Sequence, residues 1–544
     1  MVTRVESKKT SPAMAQYHRW KQEHPDEILF FQMGDFFEMF YEDARTVSRD
    51  LGLTLTSRSK GADAIPMAGV PVKSVDLYLK KLVGMGHRVA ICDQIQDPRE
   101  ADGVVDRAVT RIVTAGTITE EDLLDRAAPN YLAALEVDEK RGCGLAFLDL
   151  STGEFRVSEC SFEELPDVLS RLRPAEILVA ESAAEGKVAL QLGRANAPAV
   201  TTRPDWQFER SAALETISGH YGVANLDGFG LDPSSPAVVA AGAALAYLID
   251  TQKTALTHLS PPRLEAASDR LVLDRATRSC LELTETSREG RREGTLLSIL
   301  DQTHTAMGAR RMREWLLAPL LDVDAISSRQ TAVEELVEER PARGSLRDRL
   351  KRIADIERLM TRVVTNRAGP RDLVSLRDSL GVLPDVREIL GERRSALLGL
   401  TLERLDPLPA LTELLRNSLV DEPPATLADG GVIRDGFNEE LDELRSIRRD
   451  GRKYIAGYQS EEIERTGISN LRVGYNRVFG FYIEVTNSFK KRVPDDYVRK
   501  QTLKNAERYI TPRLKEYETR VLGAEDSANH LEIDLFQQLR QAVT

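Results

Sequence analysis

The sequence predicts a multidomain protein. Two N-terminal mixed α/β domains come first, followed by an all-α region of long helices into which a small β-rich element is inserted. Three observations predict this. The 544 residues suit three or four domains of ~150 residues each. Short apolar runs bounded by turn residues alternate with helical patterns as far as about residue 265, whereas leucine and arginine dominate from about 266 to 430 and strand patterns vanish. Between residues 471 and 485 the apolar period drops to two, as paired strands require.

In the first α/β region, Ser11-Pro12 opens a helix that runs through Trp20, because serine caps and proline tolerates the first turn. Ile28-Leu29-Phe30-Phe31 reads as a buried strand, broken by Gly34-Asp35. Ser74 is placed to cap a helix with Val75, Tyr78, Leu79 and Leu82 on one face, and Val89-Ala90-Ile91-Cys92 reads as a second buried strand. In the second region, residues 131–137 and 144–150 resemble strands, and residues 149–153 a hairpin turn before Phe155-Arg156-Val157. Residues 237–249 form the longest apolar run, an Ala-rich buried helix with Ser235 as cap and Pro236 at its first position. It falls short of the ~20 residues that span a bilayer.

Helical periodicity with charged outer faces marks residues 325–339 and 354–364. In the late β element, Leu471, Val473 and Tyr475 share one strand face, and Phe481, Ile483 and Val485 share another, with residues 476–480 as the turn. Leu531, Leu535, Phe536 and Leu539 keep helical spacing almost to Thr544, with no glycine or proline stop. A helix ending mid-pattern suggests a piece of a longer protein, with a frayed natural terminus as the alternative.

The net charge of −12 argues against a wholly basic nucleic-acid coat but leaves local basic patches open. Residues 51–90 carry six cations (among them Arg58 and Lys60) against two anions, and residues 471–520 carry twelve against six. The second cluster holds Lys490, Lys491, Arg492, Arg499, Lys500, Lys504 and Arg508 beside a hairpin with Asn476 and Arg477 at its turn. A solvated face explains any single lysine; together such groups give salt-sensitive, sequence-independent phosphate affinity. The four cysteines (Cys92, Cys143, Cys160, Cys280) form no CxxC pair and read as buried free thiols. The seven histidines are scattered, no GxSxG occurs, and no GxxxxGK[ST] phosphate loop is present, so no catalytic residue is assigned. The N-terminal residues show no secretory pattern, so a soluble, cytoplasmic protein is expected.

One run carries two opposed readings. In Gly34-Asp35-Phe36-Phe37-Glu38-Met39-Phe40 three aromatics surround a carboxylate. Core packing ahead of a helix is the plainer reading. The other is an aromatic wedge that enters a DNA base step, with a carboxylate bonding the displaced base; it would discriminate by the ease of unstacking, which is least costly at a mispair.

The run from Ser11-Pro12 through Phe31-Gln-Met-Gly-Asp-Phe-Phe-Glu-Met-Phe-Tyr-Glu-Asp-Ala44 closely resembles the start of the bacterial MutS family of DNA mismatch-repair proteins. So do Ile65-Pro-Met-Ala-Gly-Val-Pro71, Val89-Ala-Ile-Cys-Asp-Gln-Ile95, Arg111-Ile-Val-Thr-Ala-Gly-Thr117, Thr305-Ala-Met-Gly-Ala-Arg-Arg-Met-Arg-Glu-Trp-Leu316 and Gln501-Thr-Leu-Lys-Asn-Ala-Glu-Arg-Tyr-Ile510. The matches are ordered and cover nearly the whole chain. The resemblance assigns the wedge to Phe36 and the base-contacting carboxylate to Glu38. Position 37 is Phe, where Tyr is also common in the family. It implies a mismatch-recognition domain at residues 1–120, a connector of ribonuclease-H-like fold at 128–265, and a helical core and lever at 266–433. A clamp follows at 434–510, then a returning lever helix at 511–544. By the same resemblance Asn476, Arg477, Lys490, Lys491, Arg492, Arg499, Lys500, Lys504 and Arg508 would grip the DNA backbone.

The family's P-loop ATPase domain, which takes ATP and Mg²⁺, would follow the segment where this sequence stops; no cofactor is expected in the residues present. The resemblance further implies mismatched or small-loop duplex DNA and MutL as partners, nucleoid association, and a homodimer formed largely through the ATPase domain, so this piece should be mostly monomeric. Two competing readings are a metal-dependent nuclease on the connector fold and a protein scaffold that binds no DNA. For the nuclease, Asp149 and Glu154 sit near a strand end without a converging carboxylate set. Arg310, Arg313 and Trp315 are expected to serve packing of the core helices.

Overall fold

The structure, a computed structural model, describes residues 11–57, 64–96, 103–138, 140–195, 199–265, 270–476 and 480–544. It divides into two compact units: residues 1–367 with 382–406, and residues 368–381 with 407–544.

The first unit opens with a six-stranded sheet. Its strands are β1 (Ile28–Met33), β2 (Phe36–Phe40), β3 (Thr56–Ser57), β4 (Pro66–Pro71), β5 (Val89–Gln94) and β6 (Arg107–Val113), in the order β3-β4-β2-β1-β5-β6. The first four residues of β1 are all buried, as an interior strand covered on both faces demands. One face packs Phe30, Phe37 and Met39 against Val47, Leu79 and Leu82. The other packs Leu29, Phe31 and Phe40 against Met14 and Tyr17 of the helix Pro12–Glu23. Ser11 caps that helix, accepting the Met14 N–H at 3.4 Å. Ser74 does not act as foreseen: it ends a 3₁₀ turn, Val72–Ser74, and its hydroxyl donates to the Pro71 carbonyl (3.3 Å) instead of capping Val75–Gly84.

The second sheet comprises β7 (Leu132–Asp138), β8 (Gly142–Asp149), β9 (Glu154–Cys160), β10 (Glu176–Ala180), β11 (Val200–Arg203) and β12 (Arg263–Leu264), in the order β11-β10-β7-β8-β9-β12. β7, β8 and β9 form an antiparallel meander; β10 runs parallel to β7, and β11 parallel to β10. This is the arrangement expected of a ribonuclease-H-like fold. The Ala-rich helix Pro236–Gln252 lies on this sheet, capped by the Ser235 hydroxyl, which accepts the Ala237 N–H at 3.0 Å. Its closeness explains two glycines. A Cβ on Gly144 would stand 2.1 Å from the Ala237 nitrogen, and one on Gly242 2.3 Å from the Ala213 Cα.

Buried polar groups tie the segments of this unit together. Glu176 accepts hydrogen bonds from the Thr114 (2.5 Å), Thr201 (2.7 Å) and Tyr247 (2.7 Å) hydroxyls and from the Gly116 N–H (3.0 Å). It thereby joins the segment leaving β6 to the second sheet. Arg358, fully buried on the helix Ile356–Val364, donates to the carbonyls of Asp125 (3.0 Å) and Ala128 (2.9 Å) and to the Ser151 hydroxyl (3.2 Å). Glu120 sits beside Arg111 and Arg367. Burial would raise its pKa, but the two guanidiniums outweigh burial and hold it at about 2.

The second unit contains the two longest helices, Glu439–Thr466 (28 residues) and Pro512–Val543 (32 residues). Between them in sequence lies an antiparallel sheet of β13 (Arg472–Asn476), β14 (Gly480–Thr486), β15 (Val498–Thr502) and β16 (Ala506–Ile510), ordered β13-β14-β16-β15. Val473 pairs with Ile483 and Tyr475 with Phe481, so the two apolar strand faces read from the sequence are one sheet face. That face meets Tyr458 and Leu514 of the long helices. At the far end of the returning helix, the Glu532 carboxylate accepts the N–H groups of Gly431 (2.8 Å), Val432 (2.5 Å) and Ile433 (2.7 Å) and pairs with Arg445 (2.8 Å).

Between 270 and 433 the described helices are shorter than the sequence suggests, none exceeding the 16 residues of Val323–Glu338. Pro341, Pro370, Pro384 and Pro409 each sit in a first helical turn and divide the leucine-rich pattern. Among the described residues no helix is long and apolar enough to cross a membrane. Cys92 and Cys143 are buried as expected, whereas Cys160 is only partly buried and Cys280 is exposed, contrary to the expectation of four buried thiols.

Two stability predictions follow from these contacts. Gly144→Ala should lower the stability of the first unit by about 2–3 kcal/mol through overpacking, whereas Gly219→Ala, with open space around it in the helix Arg210–Tyr221, should be neutral or stabilising; thermal melts of both variants check this. The Glu120 contribution is present above its unfolded pKa of about 4.5 and is lost as pH falls toward about 2. Glu120→Gln should therefore be less stable than the parent at pH 6, with the difference shrinking below pH 4.5 in melts recorded across that window.

Candidate nucleic-acid interface

Two surfaces, one in each unit, hold the residues singled out by sequence. In the first unit, Gly34 adopts φ +61 and turns β1 back into β2. The aromatic run is thus itself a strand, where the sequence suggested a segment approaching a helix; the helix Tyr41–Leu51 begins only after it. Strand alternation then divides its side chains. Phe37 and Met39 enter the core, while Phe36 is 48% exposed and Glu38, two residues on, shares its side of the strand, half-buried.

Register fixes their neighbours. Phe36 lies between Met33 and Pro71, and Glu38 between Phe31 and Gly69. A Cβ at Gly69 would come within about 4 Å of both the Phe36 ring and the Glu38 side chain. Glycine there leaves low ground between the ring and the carboxylate. The pair therefore presents one apolar plate and one hydrogen-bond acceptor on a strand paired on both sides. A rigid platform of this kind costs little entropy when a flat partner stacks on it.

In the second unit, the cations of the β element are not equivalent. Lys490 and Arg499 both reach Glu507, at 2.5 and 3.5 Å. Arg508 pairs with Glu484 at 2.9 Å and lies over the Tyr482 ring at 4.1 Å. Arg492 lies over Phe489 and donates to the Gly467 carbonyl (3.4 Å). Lys491, Lys500 and Lys504 are exposed and have no acidic partner among the described residues. Arg472, at the start of β13, is exposed and likewise without an ion pair. Sequence reading passed over it because it stands outside the cationic run; its place on the strand facing Glu484 emerges only from the register. Asn476 closes the described part of β13 opposite Gly480. Arg477 lies outside the described residues, as do Arg58 and Lys60.

The carboxylates considered for nuclease chemistry are committed elsewhere. Asp149 is fully buried and accepts the Asn130 and Ser151 N–H groups (3.0 and 2.9 Å) and the Ser151 hydroxyl (2.6 Å). Glu154 accepts from the Tyr131 hydroxyl (2.9 Å) and pairs with Arg156. Burial raises the pKa of both. Neither has the open coordination sphere that a hydrolytic metal needs.

Comparison with known proteins places these surfaces in a family. Residues 11–122 match the model of MutS domain I, residues 130–260 that of MutS domain II, and residues 276–544 that of MutS domain III. Similar curated proteins include the DNA mismatch repair protein MutS of Salinibacter ruber, 44% identical over 98% of this chain and 59% of the relative. Those of Symbiobacterium thermophilum and Myxococcus xanthus are each 45% identical over 98% of this chain, covering 62% and 60% of the relative. The chain thus spans about three fifths of the length of the curated relatives it matches. With all three domain models matched in order, the chain belongs to the MutS family.

Proposed function

We propose that this chain recognises mispaired or small-loop duplex DNA at the start of mismatch repair. In this reading Phe36 wedges into the base step at the mispair and Glu38 accepts a hydrogen bond from the displaced base. The β element of the second unit holds the backbone. The observation that carries the reading is the division of β2, with Phe37 and Met39 buried while Phe36 stands exposed beside Glu38. An aromatic that served only the core would be turned inward. Unstacking costs a few kcal/mol per step, less where pairing is already faulty, so a wedge converts helix weakness into selectivity. Phosphate contacts supply attraction without sequence preference. In the full-length family assembly, ATP and Mg²⁺ bound by a P-loop domain, dimerisation and MutL recruitment would act on this recognition event.

Phe36→Ala should fold normally, because the ring is already half exposed. It should lower the ratio of mismatched to matched affinity by about tenfold or more while sparing most backbone affinity. Fluorescence anisotropy with G·T and matched duplexes measures that ratio, and an unchanged ratio refutes the wedge.

The lysines make a second prediction. Replacing Lys491, Lys500 and Lys504 together by glutamine should flatten the slope of log affinity against log salt by about 2.7, at ~0.9 per phosphate contact. Lys490→Gln should change it less, because Glu507 already offsets that charge.

A further inference from the structure

The first unit also contains a cleft of about 480 Å³ between the helix Leu165–Leu172 and residues 275–317. Five arginines line it (Arg171, Arg173, Arg275, Arg278 and Arg313) against one acidic residue, Glu285. It adjoins a second cavity of about 580 Å³, and the two share Arg171, Arg173, Glu285, Arg313 and Leu317.

The ion pairing within the cleft is incomplete. Arg171 is met by Glu265 through two bonds of 2.9 Å, and Arg173 by Glu285. Arg278 is buried and among the described residues bonds only neutral groups: the carbonyls of Leu273 (2.7 Å) and Asp167 (2.9 Å) and the Ser170 hydroxyl (3.0 Å). Arg313 was expected to serve helix packing like its neighbour Arg310. Arg310 does so, pairing with Asp355 (2.7 Å) and Glu357 (2.6 Å). Arg313 has no hydrogen bond or ion pair among the described residues, and burial and the nearby Arg173 lower its pKa. A half-buried guanidinium left unpaired beside another cation is a standing electrostatic cost. Arg173 adds a second sign of strain. It holds φ +51, a left-handed conformation that a non-glycine residue adopts at a cost, where the helix Leu165–Leu172 ends at the cleft wall.

We propose that this cleft binds a small, multiply charged phosphate compound of pyrophosphate type, with Arg313 and Arg173 as its direct contacts and Arg278 supporting the field. Planar guanidiniums match phosphate oxygens in paired hydrogen bonds. The hydroxyls of Ser279 and Thr284 on the same wall supply neutral donors. A bound anion would discharge the repulsion between Arg173 and Arg313. It would also bridge the second sheet's flanking helix to the helix Ala306–Leu317, which carries Arg313.

The test is isothermal titration of the chain with sodium pyrophosphate at constant ionic strength, paired with thermal melts. The parent chain should show saturable one-site binding and a melting temperature that rises with pyrophosphate. Arg313→Gln should weaken binding roughly tenfold or more, as loss of a charge-assisted contact does. The same variant without anion should melt at or above the parent temperature, because an unpaired cation has been removed. Arg173→Gln, which leaves Arg313 in place, should weaken binding in the same direction. Absence of saturable binding in the parent chain, or undiminished binding in Arg313→Gln, would overturn the proposal. So would a loss of duplex DNA affinity in Arg313→Gln with pyrophosphate binding unchanged, which would assign the cleft to the DNA backbone.

Discussion

The pleat of β2 is the constraint on which the exposed Phe36–Glu38 surface depends. Because side chains alternate across a strand, burying Phe37 and Met39 obliges Phe36 and Glu38 to lie on the same side, two residues apart. β2 is paired on both edges, with β1 and β4, so it can neither slip nor twist to hide the ring. A slip of one residue would bury Phe36 and expose Phe37, at the expense of the Phe30, Val47 and Leu79 core that Phe37 completes. The free energy of an ordinary apolar core thus holds a reactive-looking surface in place, and no special strain at the ring is required.

Polar groups do a comparable job between segments of the first unit. Glu176 gathers three hydroxyls and one backbone N–H, and Arg358 gathers two carbonyls and a hydroxyl, each from chain segments far apart in sequence. Breaking one member leaves a buried charge with unmet bonds, which is far costlier than losing one exposed pair. Displacement of the segment that leaves β6 would therefore be felt at the second sheet and at the helix Ile356–Val364. In the second unit the corresponding device is Glu532, which anchors the returning helix to the backbone of residues 431–433.

Much of this was legible in the sequence, and the limits have physical causes. The buried strands β1 and β5, the capped helices after Ser11 and Ser235, and the two-residue period of β13 and β14 all announce themselves through local rules of burial and capping. The run from Phe36 to Phe40 did not, because aromatics with one acid suit a helix approach as well as a strand; only pairing with β4 decides. Likewise the seven cations of the β element look alike as letters. Their division into those offset by Glu507 or Glu484 and those left free depends on the long-range register of β14, β15 and β16. The position of Arg313 without a hydrogen-bond or ion-pair partner among the described residues has no local signature at all, since it is set by which acids fail to reach it.

The most direct test of the central claim is to place 2-aminopurine next to a G·T mispair and follow its fluorescence while the chain is titrated. The proposed insertion of Phe36 would unstack the neighbouring base, so fluorescence should rise to saturation with the mispaired duplex and stay nearly flat with a matched duplex bound to the same extent. Equal responses from the two duplexes, or saturated binding to the mispair with no change in fluorescence, would contradict the account.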